Sequence, residues 1–397
     1  MTMAADKQDK VLNVPTLRFP EFTDEWKICK VGDYGKIITG STPPTSDNTN
    51  YAGGTQLWAS PVDLGQTKFV TDTQTKLSSI GFSKTRKLPV GSVLVTCIGS
   101  TIGKMGMAAT EMSTNQQINS IVVDSQYDNH FVYYALQSRF PRYLTSVAVQ
   151  AVPIMSKSSF EKLQNYRTTF KEQKKIGALL NLIDERISAQ NRIIEDFKSL
   201  SDVICERLYT PSEKESWQTY KYTDLFSVSN ERNSKLQYTN VLSASQEYGM
   251  IERNELNIDI KFEASSITNY KIVRPNQYVI HLRSFQGGFA YSEKTGVCSP
   301  AYTILVPNEK LSTAFLKYYF ISKKFIDSLR IVTYGIRDGR SISVEEFLQL
   351  KVAIPDITRQ QNVVRVMQLW EEKIRTEEEY LSKLQQQKKY LLTSMFI

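Results

Sequence analysis

The chain has 397 residues, of which 41% are hydrophobic and 11% aromatic, so it is not an intrinsically disordered protein and has room for roughly two or three domains. Its formal net charge is +8, from 49 Lys and Arg against 41 Asp and Glu, which favours a polyanionic partner. The absence of any apolar run of about 18 residues, and of a signal peptide over residues 1–10, predicts a cytoplasmic protein without a membrane span. The cysteines are far apart and form neither a zinc pattern nor a secreted disulfide framework: Cys29, Cys97, Cys205 and Cys298.

The chain divides into segments that occur twice. The predicted bounds are a flexible lead-in over 1–16, a β-rich domain over 17–170, a long helix over 171–209, a polar linker over 210–216, a second β-rich domain over 217–357 and a second long helix over 358–397. Proline at position 211 ends the first helix, and the polar residues after it allow a turn.

Landmarks of the first domain recur in the second. Each copy continues with a proline turn that feeds an apolar strand, then an aromatic-rich helix, and then a strand-like segment before its long helix. The copies differ most in their middles, over 40–120 and 227–300, which is what a protein with two different recognition surfaces needs. Both copies open with the pattern W-x3-K-x2-D: Trp26, Lys30 and Asp33, then Trp217, Lys221 and Asp224.

Both long helices carry apolar residues at alternating spacings of three and four, which predicts one narrow apolar seam, as in a coiled coil. The seam repeats after a shift of 187 residues (360 − 173), which indicates an internal duplication. Its polar interruptions, Gln190, Ser201, Glu377 and Lys388, either fix an antiparallel register or face a partner or water. The apolar seam positions are Ile176, Leu180, Ile183, Ile187, Ile194, Phe197, Ile204, Leu208, Val363, Met367, Trp370, Ile374, Leu381, Leu384, Leu391 and Met395.

No segment has the pattern of a catalytic site. The stretch from Gly99 to Met105 looks like a phosphate-binding loop, but it has three residues between its glycines where that motif needs four. It predicts instead a tight turn between strands, or a loop that places Lys104 on a phosphate. His130 and His281 have no partner at a motif spacing, and the acidic pairs of the long helices fit solvated flanks. We therefore expect no catalytic residue, no metal site and no cofactor.

An ordered set of short motifs resembles the specificity subunits of Type I restriction-modification enzymes. No single motif is decisive, but together, in this order and duplicated over about 380 residues, they are quite specific. The motifs are Phe19-Pro20 before Trp26, Ile38-Thr39-Gly40-Ser41-Thr42-Pro43, Asn115-Gln116-Gln117-Ile118-Asn119, Glu172-Gln173-Lys174-Lys175-Ile176 and Leu391-Leu392-Thr393-Ser394-Met395-Phe396.

The resemblance implies an α+β fold, in which two tandem β-rich target-recognition domains are joined by two long helices that pair as an antiparallel coiled coil. It also implies a non-catalytic subunit that binds a bipartite double-stranded DNA target, two half-sites on either side of a non-specific spacer. Two methyltransferase subunits would dock on the helices, and restriction subunits would join through them. These partners, and not this chain, would use S-adenosylmethionine and ATP.

Such a protein reads bases with Arg, Lys, Asn and Gln and holds phosphates with Ser, Thr, Lys and backbone amides. We therefore select these side chains where they lie in loops that contain or adjoin glycine. In the first domain the candidates are Lys36, Thr39, Ser41, Thr42, Lys84, Arg86, Lys104, Gln116, Gln117 and Gln150. In the second domain they are Arg232, Asn233, Lys235, Arg283, Ser284, Gln286, Arg337, Arg340 and Ser341.

Two other functions stay open on the sequence. One is a stand-alone DNA-binding regulator or decoy, which would bind a specific sequence tightly and in a salt-sensitive way without partners. The other is a coiled-coil scaffold, which the long helices favour equally well. The divergent, loop-rich middles favour DNA specificity over the scaffold, because a scaffold needs no second diversified surface.

Overall fold

The computed structural model describes residues 12–147, 154–212, 216–245, 248–253, 264–281, 288–329, 333–334 and 341–397. The chain forms two compact units: unit 1, residues 1–192 with 379–397, and unit 2, residues 193–378. Each unit combines strands with segments of both long helices, so the predicted α+β fold is confirmed.

The described part of unit 1 contains short strands, three short α-helices and the first part of a long helix. The strands are β1 (Lys27–Lys30), β2 (Gly35–Thr39), β3 (Gln56–Ala59), β4 (Phe69–Val70), β5 (Lys76–Leu77), β6 (Val93–Thr96), β7 (Met105–Ala108), β8 (Ser113–Thr114), β9 (Ile118–Val123) and β10 (Gln164–Arg167). The helices are α1 (Ser79–Ser83), α2 (Asn129–Val147), α3 (Lys157–Lys162) and the long α4 (Phe170–Leu208), which continues into unit 2.

Unit 2 repeats this composition and holds the first part of the second long helix. The strands are β11 (Gln218–Lys221), β12 (Phe226–Ser229), β13 (Leu242–Ser245), β14 (Gly249–Glu252), β15 (Lys271–Val273), β16 (Tyr278–Ile280), β17 (Phe289–Tyr291), β18 (Gly296–Cys298), β19 (Thr303–Pro307), β20 (Thr333–Tyr334), β21 (Ser341–Ile342) and β22 (Lys351–Ile354). The helices are α5 (Phe315–Tyr319), α6 (Lys323–Ser328), α7 (Val344–Gln349) and the long α8 (Ile357–Ser394), which ends in unit 1.

The largest sheets of the two units share their strand order. Five strands lie in the order β2-β9-β6-β7-β4 in unit 1, and four lie in the order β12-β19-β16-β17 in unit 2. The shared strands pair antiparallel, and β4 adds to the edge of the first sheet in parallel. Outside these sheets, β1 pairs with β10 as β11 pairs with β22. This repeated topology confirms the internal duplication.

The aspartate of the W-x3-K-x2-D pattern caps the same 3₁₀ turn in both units. Asp33 Oδ2 accepts from the backbone N–H of Lys30 at 2.8 Å, and Asp224 Oδ2 accepts from that of Lys221 at 3.0 Å. The carboxylate satisfies a backbone donor at the start of the turn, where a negative charge is also favourable. The recurrence of the pattern therefore has a local structural cause.

A buried glutamine opens both long helices and holds the loop before the aromatic-rich helix. Gln173 is 2% exposed, accepts from the N–H of Asp128 at 3.0 Å and donates to the backbone carbonyl five residues earlier at 2.8 Å. Its counterpart Gln360 is 1% exposed, accepts from the N–H of Ser312 at 2.8 Å and likewise donates to the carbonyl five residues earlier at 2.9 Å. Each amide thus satisfies a donor and an acceptor that are costly to bury without a partner.

The predicted seam forms one face of each long helix. Every seam position, including the polar interruptions, is buried or half-buried, whereas most flanking positions are exposed. In unit 1, Ile176 and Leu180 from the start of α4 share a core with Leu391 and Met395 from the end of α8. The two helical segments of unit 1 therefore run antiparallel.

Unit 2 pairs the other ends of the same helices. Cys205, near the end of α4, shares a core with Val363 and Met367, near the start of α8. Farther along, the ring of Phe197 lies edge-on to that of Trp370, with 5.8 Å between centroids. The segments run antiparallel here too, and the seam side chains face each other in each unit.

The end of each long helix closes on the aromatic-rich helix of its unit. In unit 1 the ring of Phe396 lies 5.6 Å from that of Phe131 and 6.0 Å from that of Trp26, which is 2% exposed. In unit 2 the ring of Tyr209, the counterpart of Phe396, lies 5.1 Å from that of Phe315. Aromatic pairs at these separations add to the stabilisation that burial alone provides.

Of the predicted lead-in over 1–16, the structure describes residues 12–16. Residues 12–16 are anchored, because Asn13 accepts from the backbone N–H of Trp26 at 2.9 Å and Thr16 donates to the carbonyl of Ser394 at 3.1 Å. These hydrogen bonds tie residues 12–16 to the segment around Trp26 and to the end of α8. No helix in the described part of the chain is long and apolar enough to cross a membrane.

Candidate nucleic-acid interface

One end of the unit 1 sheet, which we call loop end 1, is where β2 and β6 end and β9 and β7 begin. There the backbone of Gly40 donates to Ile118 at 3.0 Å, and that of Thr96, which is paired with Ile118, donates to Lys104 at 2.9 Å. Loop end 1 brings together seven of the candidate residues, which the sequence distributes over nearly eighty positions. They are Thr39, Ser41, Thr42, Arg86, Lys104, Gln116 and Gln117.

A glycine lets the two main loops of this end pack together. A Cβ on Gly40 would lie 2.1 Å from the carbonyl oxygen of Asn115, so no other residue fits there without a shift. Packing at this distance allows Ser41 to donate from its backbone to Thr114 at 2.8 Å. It also brings the hydroxyl of Thr42 to the side-chain oxygen of Gln116. The Gly-Ser-Thr motif therefore builds the surface rather than merely allowing a turn.

The amide side chains of the second loop are ordered by each other. Asn115 accepts at Oδ1 from the backbone N–H of Gln117 at 3.0 Å and donates from Nδ2 to Gln117 Oε1 at 3.0 Å. Gln116 is exposed and Gln117 is half-buried. An amide held in one orientation near solvent is the group that pairs with adenine in the major groove.

Two basic side chains flank the loops. Arg86 donates to the carbonyl at the end of β2 at 2.7 Å, and Lys84 donates to Asn50 at 2.7 Å and pairs with Asp47 at 3.3 Å. Hydrogen bonds from the hydroxyl and backbone of Thr49, and then from Lys84, hold the pKa of Asp47 below its usual value. The Lys84–Asp47 pair is about two-fifths exposed, so exchanging the carboxylate for a phosphate would cost little.

The segment that looks like a phosphate-binding loop is a hairpin turn between β6 and β7. Gly99 and Gly103 have φ of 99° and 92°, values that favour glycine, and Ile102 donates to the carbonyl of Gly99 at 3.1 Å. Lys104 emerges from this turn as an exposed side chain. At the start of the turn, burial raises the pKa of Cys97 to about 11, so its thiol stays neutral.

Lys36 is separated from this group. It is exposed on β2 opposite Val122, three residues before Thr39. At about 3.4 Å per residue it lies roughly 10 Å from loop end 1. Of the first-domain candidates, Gln150 lies outside the described residues.

In unit 2 the structure gives Asn233 a role that the sequence prediction missed. Asn233 is 1% exposed, its amide donates to the carbonyl of Tyr238 at 2.7 Å, and it accepts from the N–H of Tyr238 at 3.2 Å. Because Asn233 is buried and uses both ends of its amide within its own loop, it is not placed to reach a base, and we no longer assign it to DNA contact. Arg232 and Lys235, on either side of it, are exposed.

The remaining second-domain candidates fall in two segments of which the structure describes only the ends. His281 and Gly288 close the connection between β16 and β17 with a backbone hydrogen bond of 2.8 Å, the counterpart of the turn that carries Lys104. Ser341 pairs through its backbone with Tyr334. Outside the described residues lie Arg283, Ser284, Gln286, Arg337 and Arg340.

Two asparagines at loop end 1 were not among the candidates. Asn119 is 3% exposed and accepts at Oδ1 from the hydroxyl of Thr39 at 2.7 Å, and Asn115 is 8% exposed. Both belong to the same five-residue run as Gln116 and Gln117, so their place in that run was the available signal. Among the described residues, no group of three or more His, Cys, Asp or Glu could hold a metal ion.

The two units share one strand order, and their sequences differ most over 40–120 and 227–300, which defines a class of protein built from a duplicated α+β frame with two different middles. The sequence matches the family model described as the Type I restriction modification DNA specificity domain twice, over residues 23–198 and 214–386. The chain therefore belongs to the Type I restriction-modification specificity family, as the motifs predicted.

Curated relatives agree over part of their length. The chain is 32% identical over 144 residues to the Type I restriction enzyme HindI specificity subunit of Haemophilus influenzae, covering 35% of this chain and 31% of that protein. It is 26% identical over 185 residues to the MjaIX specificity subunit of Methanocaldococcus jannaschii, covering 43% of this chain and 41% of that protein. The chain thus aligns with less than half of either relative.

Solved structures agree on the fold over nearly the whole chain. The S subunit of a Type I restriction-modification system from M. genitalium superposes with a TM-score of 0.58 at 16% identity, covering 97% of this chain and 99% of that chain. A chain from a structure of complex assembly and conformational transition in the type I R-M system superposes with a TM-score of 0.58 at 12% identity. This match covers 92% of this chain and 96% of that chain. At such identities the likeness concerns the fold alone.

Proposed function

We propose that this chain is the sequence-specificity subunit of a Type I restriction-modification complex and binds a bipartite double-stranded DNA target in the cytoplasm. Each unit reads one half-site with the loops at one end of its sheet. The chain itself carries out neither methyl transfer nor cleavage and needs no cofactor. The observation that carries the proposal is loop end 1, where Gln116 and Gln117 are set among hydroxyl and basic side chains.

The chemistry of loop end 1 suits duplex DNA better than a protein surface. Glutamine amides pair with adenine, while Ser41, Thr42 and Lys104 offer the hydroxyl and ammonium groups that hold phosphates. The net charge of +8 adds a sequence-independent attraction to the same partner. In unit 2, Arg232 and Lys235 are the described residues that we assign to the second half-site.

We further propose that two methyltransferase subunits dock on the long helices, and that restriction subunits join through them. Three exposed apolar residues of unit 1, Leu182, Tyr380 and Tyr390, have counterparts 187 residues away in unit 2 at Leu369, Ile193 and Val203. Leu182 and Leu369 are 57% and 60% exposed. Large apolar side chains exposed at equivalent places support docking of two copies of one partner.

The test is to co-express the chain with its methyltransferase subunit and to sequence methylated adenines in host DNA at single-molecule resolution. We expect a two-part motif with a fixed gap that disappears when this chain is deleted. Gln116→Ala and Gln117→Ala should relax one half-site only, by about 1–3 kcal/mol per base pair. The matched control is Gln126→Ala, because Gln126 is exposed after β9, at the opposite end of the same strand.

The alternatives give different outcomes in the same experiment. A stable complex without any change in methylation would replace the proposal with a silent or decoy specificity protein. Tight, salt-sensitive and selective DNA binding by the isolated chain would favour a stand-alone regulator. The scaffold function would lead if the chain formed no complex and bound no DNA.

A further inference from the structure

A chain of polar side chains ties the sheet of unit 1 to the long helices. Lys68, which directly precedes β4, donates to the hydroxyl of Tyr134 on α2 at 3.0 Å and to Asn181 on α4 at 2.7 Å. Tyr134 donates in turn to Asp184 Oδ2 on α4 at 2.6 Å. The other oxygen of Asp184 pairs with Lys388 of α8 at 2.6 Å. Asp184 on α4 therefore contacts α2 and α8 directly, and the sheet joins the same network through Lys68 and the hydroxyl of Tyr134.

These groups lie inside the unit. Tyr134 and Lys68 are 0% and 8% exposed, and the side chains of Asp184 and Lys388 are 13% and 18% exposed. Lys68 Nζ also lies 2.5 Å from Nδ1 of His130. Hydrogen bonds of charged groups are directional and strong where water is excluded, so they hold one arrangement, whereas apolar contacts alone would tolerate sliding. Lys388 thus interrupts the apolar seam in order to reach Asp184.

Unit 2 contains an equivalent of the Tyr134–Asp184 contact, and we call each of these tyrosine–carboxylate contacts a joint. Tyr318 of α5 donates to Glu371 Oε2 of α8 at 2.7 Å, and Glu371 lies 187 residues after Asp184. Lys317 pairs with Glu371 at 3.0 Å and with Glu293, which follows β17, at 3.1 Å. This joint is more open, since the side chains of Lys317 and Glu371 are 22% and 51% exposed. Its ion pairs are correspondingly weaker.

Stability alone does not explain a buried polar joint. Well-packed apolar residues in place of a buried ion pair are often as stabilising or more so. The loops of the two units have diverged, yet a tyrosine hydroxyl on the aromatic-rich helix meets a carboxylate on the long helix in both. A role in geometry accounts for both facts, because a directional joint fixes the angle of the sheet on its helix.

We propose that the joints Tyr134–Asp184 and Tyr318–Glu371 set how each recognition sheet is held on the long helices and thereby restrict the spacer length that the complex accepts. The four residues are positioning residues and touch no DNA. The inference rests on the proposed function, since a spacer exists only for a bipartite target. Loss of a joint leaves the loops that read each half-site intact and lets the sheet tilt.

The experiment measures spacer tolerance in the complete complex. A plasmid pool carries both half-sites with the natural spacer and with spacers one or two base pairs shorter or longer, and methylation is read by single-molecule sequencing. We expect Tyr134→Phe to raise the ratio of off-length to natural-length methylation about tenfold, which corresponds to about 1.4 kcal/mol. Tyr318→Phe should raise it less, because its joint is more exposed. Tyr133→Phe is the control, as Tyr133 is buried on the same helix and makes none of these hydrogen bonds.

The ratio of off-length to natural-length methylation distinguishes a positioning role of the joint from a role in stability alone. A variant that melts earlier and methylates all spacers less, in the wild-type proportion, would overturn the inference. If Tyr134→Phe does not fold, Asp184→Asn replaces it, because it keeps the size of the side chain and removes its charge. The same rise in the ratio of off-length to natural-length methylation is expected, and an unchanged ratio would overturn the inference. A wild-type complex with no bipartite motif would instead overturn the proposed function, whatever the variants do.

Discussion

The long helices allow a quantitative prediction, because a known change in their length should change the spacer of the DNA target by a known number of base pairs. If they hold the two sheets at a fixed separation along the duplex, lengthening both helices must lengthen the spacer and leave both half-sites unchanged. Four residues are inserted after Arg192 of α4 as a repeat of residues 189–192, and four after Glu378 of α8 as a repeat of residues 375–378. These points are where the two helices pass between units, and a four-residue insertion is one that coiled coils absorb by local unwinding.

The expected shift follows from helix and duplex geometry. α4 has 39 residues, which at about 1.5 Å each is roughly 58 Å, more than the 34–36 Å or so of one duplex turn. Four added residues lengthen a helix by about 6 Å and rotate its end by about 40° beyond a full turn. One base pair advances the duplex by about 3.4 Å and about 35°. Length alone predicts about two base pairs and rotation about one, so we expect a spacer longer by one or two base pairs.

Single-molecule sequencing of methylated adenines gives the spacer directly. The control places the same four residues in the linker between Pro211 and Ser212, after the end of α4, where they add no helix length and should leave the spacer unchanged. A paired-insertion variant that assembles, methylates and keeps the wild-type spacer would refute the proposal that the helices act as a ruler. A changed half-site would show that the insertion had disturbed a sheet.

Three further predictions concern stability and assembly. Asn233→Ala should lower the free energy of unfolding by about 1–3 kcal/mol, since it leaves buried backbone groups unpaired, while the methylated motif stays the same; an unchanged melting temperature would contradict this. Leu182→Asp and Leu369→Asp should each leave one methyltransferase subunit bound in native mass spectrometry, and the double variant none; loss of both subunits from a single variant would argue against independent docking. Burial lowers the pKa of Lys68 to about 8 from 10.5, so the unfolded chain binds more protons between these values and stability should rise with pH across that window. In wild type the free energy of unfolding should rise by about 3 kcal/mol over the whole window, and in Lys68→Met this rise should be absent. Melting curves of both proteins at each pH test this, and an equal dependence of stability on pH in the two proteins would contradict it.

The frame of this protein was readable from sequence because its signals are local or periodic. The seam repeats every three or four residues, and the structure buries or half-buries every seam position. Asp33 and Asp224 recur because each caps the turn beside it, and Gln173 and Gln360 recur because each holds the adjoining loop. The caps depend on a residue three positions away, whereas the two glutamines bond to residues 45 and 48 positions away. The duplicated pattern marks both kinds of residue, but only the caps follow from a local pattern.

The proposed DNA-contacting loops could be predicted from sequence only where a motif determines their geometry. Gln116 and Gln117 came from a run whose backbone geometry depends on Asn115 two positions away, and both lie at loop end 1 as a consequence. Asn233 has the same chemistry in the same kind of polar loop, yet its amide faces inward to Tyr238, because the loop closes on itself. Whether an amide faces solvent or its own backbone depends on contacts that composition does not encode.

The joints could not be predicted from the sequence of any one helix. Tyr134, Asp184 and Lys388 look like an aromatic core residue, a solvated acid and an unexplained interruption when each is read in its own helix. They form one network only because α2, α4 and α8 converge in unit 1. The duplication still carried a usable signal, since the shift that relates the seams also relates Asp184 to Glu371, each hydrogen-bonded to a tyrosine hydroxyl. The recurrence of this tyrosine–carboxylate contact at equivalent positions is the observation from which we propose that the contact constrains geometry.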